Sequence, residues 1–188
     1  EAEILLIGTS PLSFLEEASK QNITLTAYSY EWLLATKDLQ IPLKLHIKID
    51  SGMGRIGFTE VTELQQALAF ISKRDWLQIT GVFTHFATAD EEEQTLFRKQ
   101  VSRFEQLLNV FEQRPAMVHT SNSAAALLYP DQHWNAVRFG ISMYGIAPSS
   151  WVNVELPFPL EKALSLHTEV AHVKKVTKGS TIGYGATY

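Results

Sequence analysis

Side chains able to do chemistry recur at matching places in this sequence. Lys48 and Asp50 close the run "LKLHIKID", His85 closes "LQITGVFTHF", His119, Asn122 and Ser123 fall at and after the end of "AMVHTS", and Arg138 and Gly140 lie in "AVRFGI". Imidazoles move protons near neutrality, and ammonium or guanidinium groups hold anions, so their clustering at strand ends argues for an enzyme. One histidine at a strand end is ordinarily a hydrogen-bonded structural residue. Two of them, with an arginine after a further strand, point toward a site. His46 and His133 carry no such weight, since the first lies inside a strand and the second in a loop beside Trp134. A zinc site on His85 and His119 lacks a further ligand at close spacing, so no metal is expected.

Two segments could approach a phosphate. "DSGMGRIGF" holds Gly52, Gly54 and Gly57 at the spacing of a dinucleotide fingerprint. That fold needs an acid about 20 residues further on, at the end of the next strand, to reach a ribose. Asp75 precedes the strand "LQITGVF" instead of ending it, and Arg55 occupies the middle of the loop. The glycines therefore read as a tight turn between strand and helix. In "SNSAAALLYP", amide and hydroxyl groups precede a short alanine-rich helix. Its N-terminus either binds a phosphate through free N–H groups or is simply capped by Asn122 or Ser123. Gly140, in "RFGISMYG", would let a neighbouring loop approach the same phosphate.

These residues need a scaffold that brings strand ends together. The runs "EILLIG", "ITLTAYS", "LKLHIKID", "LQITGVFTHF", "AMVHTS" and "AVRFGI" alternate with helical stretches, which predicts about six βα units and a parallel sheet. In a βα barrel the loops after the strands converge on one face, and the candidate residues lie there. The clearest helix is predicted over Asp90–Arg114, where Phe97, Val101, Phe104, Leu108 and Phe111 repeat at helical spacing between an acidic start and Pro115. Ser10 before Pro11 predicts a second helix start, with the serine as cap. A closed barrel needs eight strands, so residues 1–148 are expected to form an incomplete TIM-type (β/α)8 barrel with open sheet edges. Residues 149–162 lack a helical period and read as a linker. From 163 to 188 apolar and polar residues alternate around a Lys178–Gly179 turn, predicting the antiparallel start of a C-terminal β domain.

Composition narrows the setting. With 188 residues, 45% hydrophobic and 19% charged, and a net charge of -4, the chain is globular and has no field that would gather nucleic acid. No apolar run approaches the roughly 18 residues that span a bilayer, so no membrane is expected. The absence of cysteine removes disulfides and thiolate chemistry and fits a reducing compartment, the cytoplasm. The opening "EAE" lacks a basic targeting region, and the missing initiator Met and the ending "GYGATY" suggest a piece of something longer.

The segments "IKIDSGMGRIGF", "GVFTHFATADE", "HTSNSAAAL", "VRFGISMYGIAPS" and "IGYGATY" resemble, in this order, the bacterial alanine racemases. These are pyridoxal-phosphate enzymes that interconvert L- and D-alanine. The resemblance implies a barrel followed by a β domain, an amino-acid substrate, pyridoxal phosphate as cofactor, and a homodimer whose sites use both subunits. By position, Tyr184 looks like the catalytic tyrosine given to the partner's site, with His85 its hydrogen-bonded neighbour. Arg138 resembles the arginine facing the pyridine nitrogen, and His119 its support. Asn122, Ser123, Gly140 and Ile141 match the phosphate-binding positions. Arg55 resembles the arginine near the substrate carboxylate, and Lys48 a lysine that is carbamylated in many members.

The reaction implied is two-base proton exchange at Cα. The family's Schiff-base lysine lies in a motif upstream of residue 1, so these 188 residues alone are expected to be inactive. A serine racemase of the same family, or a noncatalytic binding module on an incomplete barrel, are the alternatives.

Overall fold

A computed structural model describes residues 2–186. Strands β1 (Ile4–Leu5), β2 (Ile23–Ala27), β3 (Leu43–Lys48), β4 (Leu77–Phe83) and β5 (Met117–His119) form one parallel sheet in chain order. The crossovers carry α1 (Leu15–Lys20), α2 (Tyr30–Ala35), α3 (Val61–Ile71) and α4 (Thr95–Leu108), and α5 (Ser123–Leu128) follows β5. Chain-order winding of parallel strands is how a barrel is built, and here it stops partway round. Strand β3 shows why one face is core and the other is chemistry. Leu43, Leu45 and Ile47 join Leu15, Ala18, Leu64, Ala67 and Phe104 in the hydrophobic core, while His46 and Lys48 take the opposite face. Each fully buried leucine contributes about 1.5–3 kcal/mol relative to exposure.

The expected sixth strand does not form. The segment "AVRFGI" runs beside β5 and makes one short backbone bond, from Arg138 N to Ser121 O at 2.9 Å. The reason is a side chain. Asn135 Oδ1 accepts from Val118 N at 2.7 Å, and its Nδ2 donates to Ala116 O, occupying edge groups of β5 that a sixth strand would have used. The helix expected from Asp90 begins instead at Thr95, whose N–H is taken by the Glu93 carboxylate at 2.9 Å. Beyond Leu108 the chain closes in turns, with Phe111 still packed on the core. Ser10 caps nothing. A short 3-10 turn starts at Leu12 after Pro11, and the Ser10 carbonyl accepts from Trp32 Nε1 at 2.9 Å.

The stretch read as a linker contains a helix, α6 (Ser150–Glu155), which the absence of an extended apolar period had concealed. Ser149 caps it, accepting from Val152 N at 3.1 Å, and Val152 is buried against a cluster that includes Phe86, Phe97 and Ala125. One buried valine and a good cap suffice where six residues have no room for a repeat. From 161 to 186 every described residue is exposed and no strand is formed among them, since alternating residues make a strand only where a partner supplies a ladder. Residues 187 and 188 of the expected β segment lie outside the described residues. Among the described residues no helix is long and apolar enough to cross a membrane.

Candidate active site

The loop after β3 answers the question its glycines raise. Asp50 turns its carboxylate back into the loop, where Oδ1 accepts from the N–H groups of Gly52 (3.0 Å), Met53 (2.8 Å) and Gly54 (3.1 Å), and Oδ2 from Arg55 N (2.9 Å). The backbone donors that would cradle a phosphate are thus filled by the protein's own carboxylate. Burial pushes the Asp50 carboxyl up, but the four N–H bonds outweigh it and hold the group below its usual value. Gly57, at φ +121°, closes the turn beneath the Ile49–Phe58 bridge. A Cβ there would lie 2.7 Å from both Asp50 N and Lys48 O. The product is a rigid turn that leaves Arg55 exposed near its tip.

At the ends of β3, β4 and β5 the polar groups form one network. Arg138 donates through one terminal nitrogen to His119 Nδ1 (2.6 Å) and His119 O (3.1 Å). Through the other it donates to Thr84 O (2.6 Å) and Thr120 O (3.0 Å), with His85 Nδ1 at 3.4 Å. His119 Nε2 meets His46 Nδ1 at 2.9 Å, and Phe83 stacks on the His119 ring at 4.8 Å. Both nitrogens of His119 are therefore engaged by protein groups, which leaves none for a metal. The Arg138 Nε is buried and is its remaining donor without a partner.

The network's own charges are positive, with the carboxylate of Asp50 beside Lys48 as counter-charge. Burial, reinforced by Arg138, His46 and Lys48, drives His119 down to about 2, and burial alone takes His46 to about 4. His85 falls to about 4 through burial and the charges of Arg138, Arg55 and Lys48. All three imidazoles are neutral at pH 7. Lys48 is 2% exposed, and its ammonium donates to Ile49 O at 2.8 Å. Burial lowers it to about 8, Asp50 opposing and Arg138 and Arg55 assisting. Arg138, lowered to about 10 by burial and then by Arg55, remains charged at neutral pH. Arg138, Lys48 and Arg55 outnumber the nearby carboxylates Asp50 and Asp90, which leaves the region net positive and suited to an anion.

A cavity of about 560 Å³ opens over this network, lined by His85, Asn122, Ser123, Arg138, Gly140 and Ile141 together with Leu5, Ile7 and Asp90. Asn122 caps α5, accepting from Ala125 N at 3.0 Å, while Ser123 Oγ accepts from Gly140 N at 3.0 Å and ties the two loops together. So six of the expected site residues share one cavity, and His119 supports them from behind. Lys48 and Arg55 act on the network through their charge without lining the cavity. Tyr184 is not brought there at all and is fully exposed.

Two participants escaped the sequence reading. His46 was set aside as interior to a strand, yet it stands two residues before Lys48 and so shares its face. Gln100, wholly buried in the apolar stripe of α4, donates to His85 O at 3.1 Å and accepts from Ala87 N at 2.8 Å, fixing the loop that carries His85. A glutamine three residues after Phe97 and four before Phe104, on the buried face of a helix, was the available sign.

The comparisons with known proteins agree with this geometry. The family described as alanine racemase, N-terminal domain, matches residues 1–148. An alanine racemase of Streptococcus suis is 47% identical over 191 residues, covering 100% of this chain and 52% of the relative. The crystal structure of alanine racemase from Bacillus anthracis with bound L-Ala-P superposes with a TM-score of 0.91 at 45% identity, over 100% of this chain and 50% of that one. A histidine racemase from Leuconostoc mesenteroides follows at 32% identity and a TM-score of 0.86, over 99% of this chain and 51% of that one. The chain spans about half the length of the curated relatives it matches. On the family match, the identities and the shared fold, this chain belongs to the alanine racemase family.

Proposed function

We propose that the complete protein carrying this chain is a pyridoxal-phosphate-dependent alanine racemase that exchanges the Cα proton between two bases on opposite faces. The observation that carries the reading is the Arg138 Nε–H, a buried donor left free while the other guanidinium N–H groups are held by Thr84, Thr120 and His119. A guanidinium only donates, so it suits an unprotonated pyridine nitrogen as acceptor. The residues present fit the cofactor: Arg138 would face its ring, and Asn122, Ser123, Gly140 and Ile141 would hold its phosphate. When bound, pyridoxal phosphate supplies the electron withdrawal that acidifies the substrate's Cα–H.

Arg138 cannot yield a proton to that ring, so it limits how far charge is drawn from Cα and favours prompt return of the proton there. Racemisation then wins over transamination. Tyr184 would serve as the base on one face, in the site of the partner subunit of a homodimer, with His85 as its hydrogen-bonded neighbour. The other base is the family's lysine, which the resemblance puts outside residues 1–188. Arg55 would hold the substrate carboxylate, and Lys48, once carbamylated, would become an anion able to pair with it. A cytoplasmic location suits a chain without cysteine.

A noncatalytic module leaves the free donor of Arg138 without a purpose, and nothing lining the cavity singles out serine. The test is to incubate the complete protein with pyridoxal phosphate and L-alanine and follow D-alanine by chiral chromatography. Progress toward equal amounts of the two enantiomers is expected. No D-alanine at saturating cofactor would overturn the proposal.

A further inference from the structure

His46 and His119 stand on β3 and β5, with β4 between them, yet their rings are hydrogen-bonded at 2.9 Å. Backbones two strands apart are about 9.6 Å from each other, and the side chain of the intervening strand ordinarily fills the gap. Here that residue is Gly81, paired with His46 on one side and Met117 on the other. A Cβ on Gly81 would lie 2.5 Å from His46 Cε1 and Nε2. The glycine is delivered to this position by a register shift, because Leu45 pairs with Ile79 and His46 with Gly81, leaving Thr80 as an extra residue. Without the shift, Thr80 would face the His46 ring. Bulges of this kind re-aim side chains beside sites.

The bond pattern has one direction. Arg138 only donates, so His119 Nδ1 must accept, Nε2 must carry the ring proton, and His46 Nδ1 must accept it. We infer that His46 is a positioning residue: seated over Gly81, it accepts the Nε2–H of His119, fixes that ring, and through it orients Arg138 for its ligand. If His46 offered no acceptor, Arg138 would still occupy Nδ1, and the Nε2–H of His119 would be left buried without a partner, so the ring would turn to find one. That turn would carry Nδ1 off the Arg138 donor and move the guanidinium out of place. The charged and titratable groups acting on His119 are Arg138, His46 and Lys48, and Phe83 covers its face. The effect on cofactor binding rests on the proposed function, whereas the proton positions do not.

The experiment is a long-range proton–nitrogen NMR spectrum of the full chain labelled with ¹⁵N-histidine, at pH 7, compared with the variants His46→Gln, His46→Leu and Gly81→Ala. In the native chain both His46 and His119 should be neutral with the proton on Nε2. His46→Gln keeps a carbonyl acceptor and should preserve the hydrogen-bonded Nε2–H signal of His119, whereas His46→Leu and Gly81→Ala should move that proton upfield and speed its exchange. In the complete holoenzyme His46→Leu should weaken pyridoxal phosphate binding by about tenfold, a usual scale for a residue behind a ligand, with His46→Gln near native. A native His119 carrying Nδ1–H, or a His119 pattern unchanged in His46→Leu, would overturn the inference. So would cofactor affinity unaltered by His46→Leu. If His46→Leu fails to fold, Gly81→Ala, whose Cβ displaces the His46 ring, decides in its place, and absence of racemisation with the Nε2–H bond intact would sink the proposed function and leave this inference standing.

Discussion

Arg138 and Tyr184 are both assigned to one proposed reaction, and the fold treats them in opposite ways. Arg138 lies among four carbonyl and imidazole acceptors on strand ends that the sheet itself aligns. Tyr184 lies in a segment that is exposed throughout from 161 to 186, with its own side chain fully in solvent. The difference teaches that a side chain is fixed only by neighbours within reach. For Arg138 these neighbours are in the same sheet, and for Tyr184 the proposed neighbours belong to a second subunit.

The comparison is tested most severely at Tyr184. In the complete protein Tyr184→Phe should lower racemisation by about 10²–10⁴-fold, the range for losing a general base, while stability changes by less than about 0.5 kcal/mol. Solvent deuterium exchange at Cα should persist for one enantiomer and vanish for the other. Equal loss for both would reduce Tyr184 to a pocket wall, and a marked loss of stability in urea unfolding would show it packed like Arg138. Arg138→Leu should behave in the other way, costing about 3 kcal/mol or more in urea unfolding, because Thr84, Thr120 and His119 lose their donor in a buried place. Unchanged stability would mean the network is wet and the contrast false.

Acid should separate the regions next. His119 has a folded-state pKa of about 2 against 6.5, so the unfolded chain binds a proton that the folded chain refuses. Its stabilisation is present in full above pH 6.5 and declines as pH falls, by roughly 2 kcal/mol between pH 6.5 and 5. His46 and His85, lowered to about 4, add in the same direction. Asp50, held below 3.8, loses its contribution only at more acidic pH and does not confuse that window. Denaturation at pH 7.5 and pH 5 measures the effect, and equal stabilities would contradict the burial of these imidazoles. The smallest effect is expected in the exposed segment. In the 188-residue chain Val170→Ser, at a position 81% exposed, should change stability by less than about 0.5 kcal/mol. A larger cost in the complete protein would show that the segment is covered there.

What could be read in advance follows the range of the forces involved. The helix of "SNSAAALL" and a cap at Asn122 or Ser123 were legible because a cap reaches only three residues, and the structure chooses Asn122. The turn at Gly52–Gly57 was legible as a turn, but its use of Asp50 as a filler for four N–H groups was not, since nothing in the spacing says which anion takes them. Asn135 reads as a loop residue, and only its position beside Ala116 and Val118 turns it into the group that displaces a strand. Likewise Val152 carries no period by itself and becomes core only because Phe86 and Ala125 are there to meet it.

By itself the sequence determined the alternation of parallel strands and helices through β5, the strand ends that bear Lys48, His85 and His119, and the family to which these motifs belong. Those features depend on periods of two and of about 3.6 residues and on contacts close along the chain. Only the tertiary structure decided that His46 joins His119, that Gln100 holds the His85 loop, and that Arg138 keeps one donor free. Each of these depends on the register between separate strands and on the space left at one position. A shift of one residue at Thr80 puts Gly81 under the His46 ring, and no pattern along the chain records a shift between strands.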